Sequence, residues 1–162
     1  MHVDVRVCEA DFDLGEEWAA QRSRVGGEAG AMAAFVGLVR DRYEGEAVGA
    51  LTLEHYPGMT ERSIRAIVDE CAGRWPVQDV VIIHRVGRLE PEAQIVLVLV
   101  AGGHRPEAFA ACEFLMDYLK TEAVFWKREA VGAGERWVES TENDRTRREG
   151  WDAKGERTDS GQ

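Results

Sequence analysis

Gln94-Ile95-Val96-Leu97-Val98-Leu99-Val100-Ala101 carries an apolar side chain at every position after Gln94. A strand with one wet face alternates, so a strand without alternation is covered on both faces. The stretch therefore predicts a buried strand, and it is far too short to cross a bilayer. Gly102-Gly103-His104-Arg105 follows, and Pro106 suits the first turn of a helix. That helix is predicted to run to about Lys120, with Phe109, Cys112, Leu115, Met116 and Leu119 as its core stripe. Beyond it, residues 124–130 and 135–139 predict a hairpin around Val131-Gly132-Ala133-Gly134.

Upstream, residues 80–86 form a second β-branched strand, joined to the first through Gly87-Arg88-Leu89-Glu90-Pro91. Residues 49–56 alternate, with Leu51, Leu53 and His55 on one face. Pro57-Gly58 ends that strand, and Thr60 is the expected N-cap of a helix burying Ile64, Ile67, Val68, Cys71, Ala72 and Trp75. Pro76 stops it. At the N-terminus Val3, Val5 and Val7 alternate as a strand, and Asp13-Leu14-Gly15-Glu16 resembles a capping box for a helix to about Gln21. Residues 22–30 read as a loop, 31–39 as a small-residue strand and 41–46 as a charged loop. The order β-α-β-β-α-β-β-α-β-β indicates an α+β fold with mixed or antiparallel strands, and not a doubly wound sheet. Residues 1–139 are taken as the domain. Residues 140–162 are almost wholly polar, with Trp151 the one large apolar side chain, and are expected to form a flexible tail.

A chain of 162 residues suits one domain with an adequate core. Its 20 Lys+Arg against 30 Asp+Glu give a formal charge of −10, which argues against binding nucleic acid through a broad basic face. With neither a membrane span nor a signal-peptide layout in the sequence, the expected compartment is the cytoplasm. Cys8, Cys71 and Cys112 are dispersed and form no Cys-x-x-Cys pair, and the four histidines have no metal-ligand spacing. Neither a metal nor a cofactor is expected. Cys71 and Cys112 fall on apolar helix stripes, where cysteine acts as a small hydrophobe.

The segment 101–106 delivers a strand to a helix N-terminus through two glycines, an arrangement that favours an anion. His104 and Arg105 add donors; the bland alternative is a glycine turn with a solvated Arg. Lys120 ends the same helix about 23 Å away, so both ends cannot line one small pocket unless a returning strand or a second subunit bridges them. Lys120 also suits a helix C-terminus on dipole grounds alone. Lys127 and Arg128 are consistent with a solvated strand face. Arg40, at a strand end, is a third basic position, and the residues themselves identify no nucleophile.

Several motifs, in order, carry a resemblance. They are Leu53-Glu54-His55-Tyr56-Pro57-Gly58-Met59-Thr60, Ile83-His84-Arg85-Val86-Gly87, His104-Arg105, Met116-Asp117-Tyr118-Leu119-Lys120-Thr121 and Phe125-Trp126-Lys127-Arg128-Glu129. From about Gly30 to Glu139 the chain resembles the large, catalytic subunit of molybdopterin synthase. The resemblance implies an α/β hammerhead-type fold and a homodimer that binds a small β-grasp subunit at each end, a heterotetramer. The small subunit's C-terminal Gly-Gly thiocarboxylate would supply the sulfur that converts cyclic pyranopterin monophosphate (precursor Z) into the dithiolene of molybdopterin. No cysteine of this chain is then needed.

By the same resemblance, Lys120 is the lysine beside the thiocarboxylate, serving proton transfer or covalent assistance, and Lys127 stabilises charge. Arg40, His104 and Arg105 match anion-binding positions, and Leu38, Val39, Arg128 and Glu129 flank them. Leu38 stands where relatives often have a polar or basic residue, and Glu122 and Val124 replace an expected basic residue and proline. The partner's tail is expected to pair as an extended peptide with an edge near residues 124–130. Two other readings compete with this one. One is a scaffold for a β-grasp partner without turnover; the other is a sulfurtransferase using Cys112 or Cys8.

Overall fold

In the computed structural model, which describes residues 1–131, 134–138 and 140–156, the stretch quoted first is an inner strand. This strand, β8 (Gln94–Gly102), pairs antiparallel on one side with β6 (Val77–Arg85) and on the other with β2 (Ala31–Leu38). β1 (His2–Cys8) adds parallel to β6, giving the order β1-β6-β8-β2 and a mixed sheet. On one face of this sheet Val80, Ile82, Val96, Val98 and Val100 meet α2 (Met59–Arg74) and α3 (Arg105–Thr121). On the other, Val81, Ile83, Leu97 and Leu99 pack with Phe12 and Trp18 at α1 (Leu14–Val25). Both faces are dry, which is why β8 shows no alternation. Each fully buried Leu or Ile there contributes roughly 1.5–3 kcal/mol relative to exposure.

α1 is polar, and a buried polar link fixes it. Asp79 is 1% exposed; its carboxylate accepts from Arg24 Nε at 2.7 Å, Arg24 Nη2 at 3.1 Å and Gln21 Nε2 at 2.9 Å. Asp13 caps the helix by accepting from the Glu16 amide at 2.9 Å. The helix runs a turn beyond the expected end at Gln21, because Gln21 and Arg24 are held by Asp79, and it stops at Gly26 with φ 53°.

A second sheet has the order β10-β9-β5-β7, from β5 (Leu51–His55), β7 (Gly87–Leu89), β9 (Phe125–Val131) and β10 (Gly134–Val138). β3 (Arg42–Tyr43) and β4 (Glu46–Ala47) form a separate two-stranded ribbon within the expected charged loop. The expected hairpin is present as β9 and β10. Gly132 and Ala133 of its turn, Glu139 at its end and tail residues 157–162 lie outside the described residues. Among the described residues β5 pairs with residues 125–129 of β9 and β10 with residues 127–131, so strand partners already take most of the edge on which a partner peptide was expected to pair, and that expectation is corrected.

Two helix details also differ from expectation. Thr60 is not the N-cap of α2: Gly58 is, its amide donating to Glu61 at 2.6 Å. The buried Thr60 hydroxyl instead donates to the Val124 carbonyl at 2.8 Å and so ties α2 to the entrance of β9. Phe109 is 65% exposed, outside the core stripe of α3, whose inner face is Ala108, Ala111, Cys112, Phe114, Leu115, Met116, Tyr118 and Leu119.

The largest correction concerns the expected flexible tail. Residues Glu142–Glu156 form a helix, α4, packed on α3. Thr141 and Asp144 cap it reciprocally: the Thr141 amide donates to Asp144 at 3.0 Å, and the Asp144 amide to the Thr141 hydroxyl at 3.1 Å. Trp151, 7% exposed, packs edge-on to Trp75 and Phe114, and its indole N–H donates to Asp117 at 2.8 Å. Arg147 Nε donates to the other Asp117 oxygen at 2.9 Å. One aromatic anchor and one neutralised buried carboxylate suffice to dock a helix whose composition is otherwise polar.

Trp151→Ala is expected to cost about 3–5 kcal/mol in denaturant unfolding and to open α4 to limited proteolysis. An unchanged midpoint with α4 still protected would contradict this packing.

Candidate active site

The end of α3 and the start of β9 meet at a cleft of about 720 Å³, within the range of small-molecule sites. Lys120, the penultimate residue of α3, and Lys127, the third of β9, both line it. Arg40, just past β2, and Leu38, 56% exposed at the end of β2, complete one wall. The fold thus brings Arg40, Lys120, Lys127 and Leu38 together within one chain. Arg145 of α4 lines the same cleft, its guanidinium also donating to the Ser140 carbonyl at 2.9 Å. Phe35, Met116, Leu119 and Phe125 supply apolar wall, and His84 forms part of the lining.

Of the other residues singled out by sequence, Val39, Arg128, His104 and Arg105 are not among the described lining of this cleft. Val39 is 5% exposed, packed with Leu51, Leu53, Val86 and Leu89, and its amide and carbonyl bond to residues 93 and 92. Arg128 alternates with Lys127, so it projects from the opposite face of β9, where it pairs with Glu54. The Glu129 backbone pairs with Leu51; its side chain is outside the described residues. His104 and Arg105 are exposed at the far end of α3. There the glycine pair serves the chain itself: the Gly30 amide donates to the Gly102 carbonyl at 3.0 Å. A Cβ on Gly30 would stand 2.1 Å from the Gly103 carbonyl oxygen, which excludes any larger residue. Glu107 accepts from the His104 amide at 3.2 Å, so an internal carboxylate already occupies this helix N-terminus.

Lys120 also lines a neighbouring groove of about 470 Å³ that contains Phe109, Asp144 and Arg147. Burial pushes the Asp144 carboxyl up, but its bonds with Thr141 and the charges of Lys120 and Lys127 outweigh this and hold it below its ordinary range. Burial in the apolar interior pushes Cys71 up to about 12 and Cys112 up to about 11. No cysteine is among the described lining of the larger cleft; Cys112 lines the neighbouring groove, and Cys71 and Cys8 line neither. Among the described residues no group of three or more His, Cys, Asp or Glu is placed to hold a metal ion, and no helix is long and apolar enough to cross a membrane.

Arg145 and His84 were missed from sequence. Arg145 sits in a segment with no apolar periodicity, and its one signal is the Thr141-x-x-Asp144 cap that starts α4. His84 stands within a motif already noted, yet nothing local marks a strand histidine as cleft-facing.

The profile of the MoaE protein family matches residues 7–122. The chain belongs to the MoaE family. It is 57% identical over 140 residues to the molybdopterin synthase catalytic subunit of Ralstonia nicotianae, covering 86% of this chain and 79% of that one. Against the molybdopterin synthase catalytic subunit of Escherichia coli it is 51% identical over 142 residues, covering 86% and 92%. The solved structure of the molybdopterin biosynthesis MoaE protein from Burkholderia ambifaria superposes with a TM-score of 0.79 at 51% identity, over 93% of this chain and 98% of that one. These matches agree with the α+β architecture and mixed strands seen here.

In the native protein at about pH 8, a thiol reagent is expected to modify the half-buried Cys8 while Cys71 and Cys112 react only after denaturation. Labelling of Cys112 as fast as Cys8 would contradict the packing of α3.

Proposed function

We propose that this chain is the catalytic subunit of a molybdopterin synthase. It transfers sulfur from the C-terminal thiocarboxylate of a small β-grasp subunit to cyclic pyranopterin monophosphate (precursor Z), forming the dithiolene of molybdopterin. The observation that carries this is the convergence of Lys120, Lys127 and Arg40 on one cleft whose described lining has no cysteine. Such a site binds anions and moves protons but offers no sulfur of its own, so the sulfur arrives with the partner.

Both reactants are anionic, and the described lining of the cleft holds Arg40, Lys120, Lys127 and Arg145 with no Asp or Glu. As an ammonium Lys120 donates a proton and stabilises charge developing on the departing group; covalent assistance at the acyl carbon uses its neutral amine. Lys127 and Arg40 hold the phosphate or thiocarboxylate, and Arg145 adds a further cation at the rim. The partner's Gly-Gly terminus enters along the cleft beside the exposed Trp126. No strand pairing with β9 is required.

His104 and Arg105 belong to this chemistry through a second copy of the chain. A homodimer is supported by apolar side chains left open near the edge strand β2: Phe109 is 65% and Phe35 39% exposed. In this reading His104 and Arg105 of one subunit approach Lys120 of the other, and two small subunits complete a heterotetramer. The proposed compartment is the cytoplasm, which suits three free cysteines.

The test is a single-turnover assay with purified chain, thiocarboxylated small subunit and precursor Z, followed for dithiolene pterin. Wild type is expected to form product; Lys120→Ala is expected to lose at least about 100-fold in rate while keeping partner affinity, the pattern of a group acting in the transition state. A tight complex with no product from wild type would leave only a scaffold.

A further inference from the structure

His84 is a buried titratable group on the cleft wall that the sulfur transfer above does not use. It lies near the end of β6, on the sheet face shared by Val80 and Ile82, and is 6% exposed. Its Nδ1 stands 2.8 Å from the Arg85 carbonyl oxygen. A carbonyl only accepts, so Nδ1 carries the ring proton and the neutral ring keeps Nε2 as a bare acceptor. Phe125 stacks on the imidazole, with centroids 4.0 Å apart and planes 25° apart. Phe125 and Lys127 are two residues apart on β9 and project from the same face, so His84 stacks on the face of β9 that carries Lys127, and both line the cleft.

The charge state fits this geometry. Burial first, then Lys127 on β9, Lys120 on α3 and His55 on β5, push His84 down to about 3, against the Arg85 carbonyl, which pulls it up. The ring is therefore neutral throughout the working range. An acidic residue here would neutralise the lysines and compete with an anionic reactant. An aliphatic one would offer no acceptor. A neutral, proton-fixed imidazole presents an acceptor to an ammonium without adding a negative charge.

We propose that His84 is a positioning residue that offers Nε2 to the Lys127 ammonium and aims it at the anion in the cleft. This rests on the sulfur-transfer reading for its purpose, though not for its geometry.

Histidine ¹⁵N NMR on the full-length protein reads that geometry without turnover. His84 is expected to show a protonated Nδ1 and a bare Nε2, with no titration between about pH 5 and 8, and an Nε2 resonance that moves in Lys127→Met. A protonated Nε2, titration in the ordinary histidine range, or an unmoved resonance in Lys127→Met would overturn the proposal. In the single-turnover assay, His84→Phe keeps a stacking ring without an acceptor and is expected to slow transfer by about tenfold or more. His84→Gln, which restores an acceptor near the Nε2 position, is expected to recover most of that loss. Phe at the wild-type rate, or Gln as impaired as Phe with both folded, would remove the positioning role. Inactive wild type would count against the sulfur-transfer reading and leave the NMR result to judge His84.

Discussion

A strand apolar on both faces has to be covered twice, and the architecture follows from meeting that demand for β8. The even-numbered side chains Val96, Val98 and Val100 take α2 and α3; the odd-numbered Leu97 and Leu99 take the α1 side. Leaving β8, the chain turns at Gly102-Gly103 and sends α3 back across the sheet, so Lys120 arrives at the opposite end from His104. From there the chain has few residues before β9 must join the second sheet, with the Thr60 hydroxyl holding the Val124 carbonyl at the crossing. Lys120 and Lys127 are thus fixed on one cleft by the burial of residues far from either.

Electrostatics then separate the cleft from the rest of an acidic molecule. Solvated charges more than about 10 Å apart are largely screened at 0.1 M salt, so the overall charge of −10 does not cancel a cation cluster in a partly enclosed site. The lysine charges add to larger local causes at two neighbours: burial first, then Lys127 and Lys120, pushes His84 down, and the same lysines reinforce the Thr141 bonds that hold Asp144 of the adjoining groove below its ordinary range. A neutral histidine and an apolar wall of Phe35, Met116 and Phe125 add no negative charge to the described lining.

Most of this fold was legible because burial writes period into sequence: the unbroken run at 95–101, the alternation at Val3, Val5 and Val7, and the stripe from Ile64 to Cys71 all became the expected elements. What escaped was held by single long-range contacts. Trp151 docks α4 through Asp117, 34 residues away, and a lone tryptophan in a charged segment has no period to detect. Phe109 fits a helical stripe by spacing yet faces outwards, since α3 buries the neighbouring Ala108 and Cys112 face. For the site, Lys120, Lys127 and Arg40 were marked by family motifs and shared a cleft. Val39 and Arg128 carried the same kind of mark but point into the core or across the sheet, because adjacent strand residues face opposite ways.

The proposed function requires that the sulfur-bearing terminus be received at the C-terminal end of α3. A crystal structure of this chain with its small subunit in the carboxylate form tests it most directly. The terminal Gly-Gly carboxylate is expected in the cleft, within about 3 Å of the Lys120 ammonium. A terminus bound elsewhere, with the Lys120 cleft empty, would contradict it.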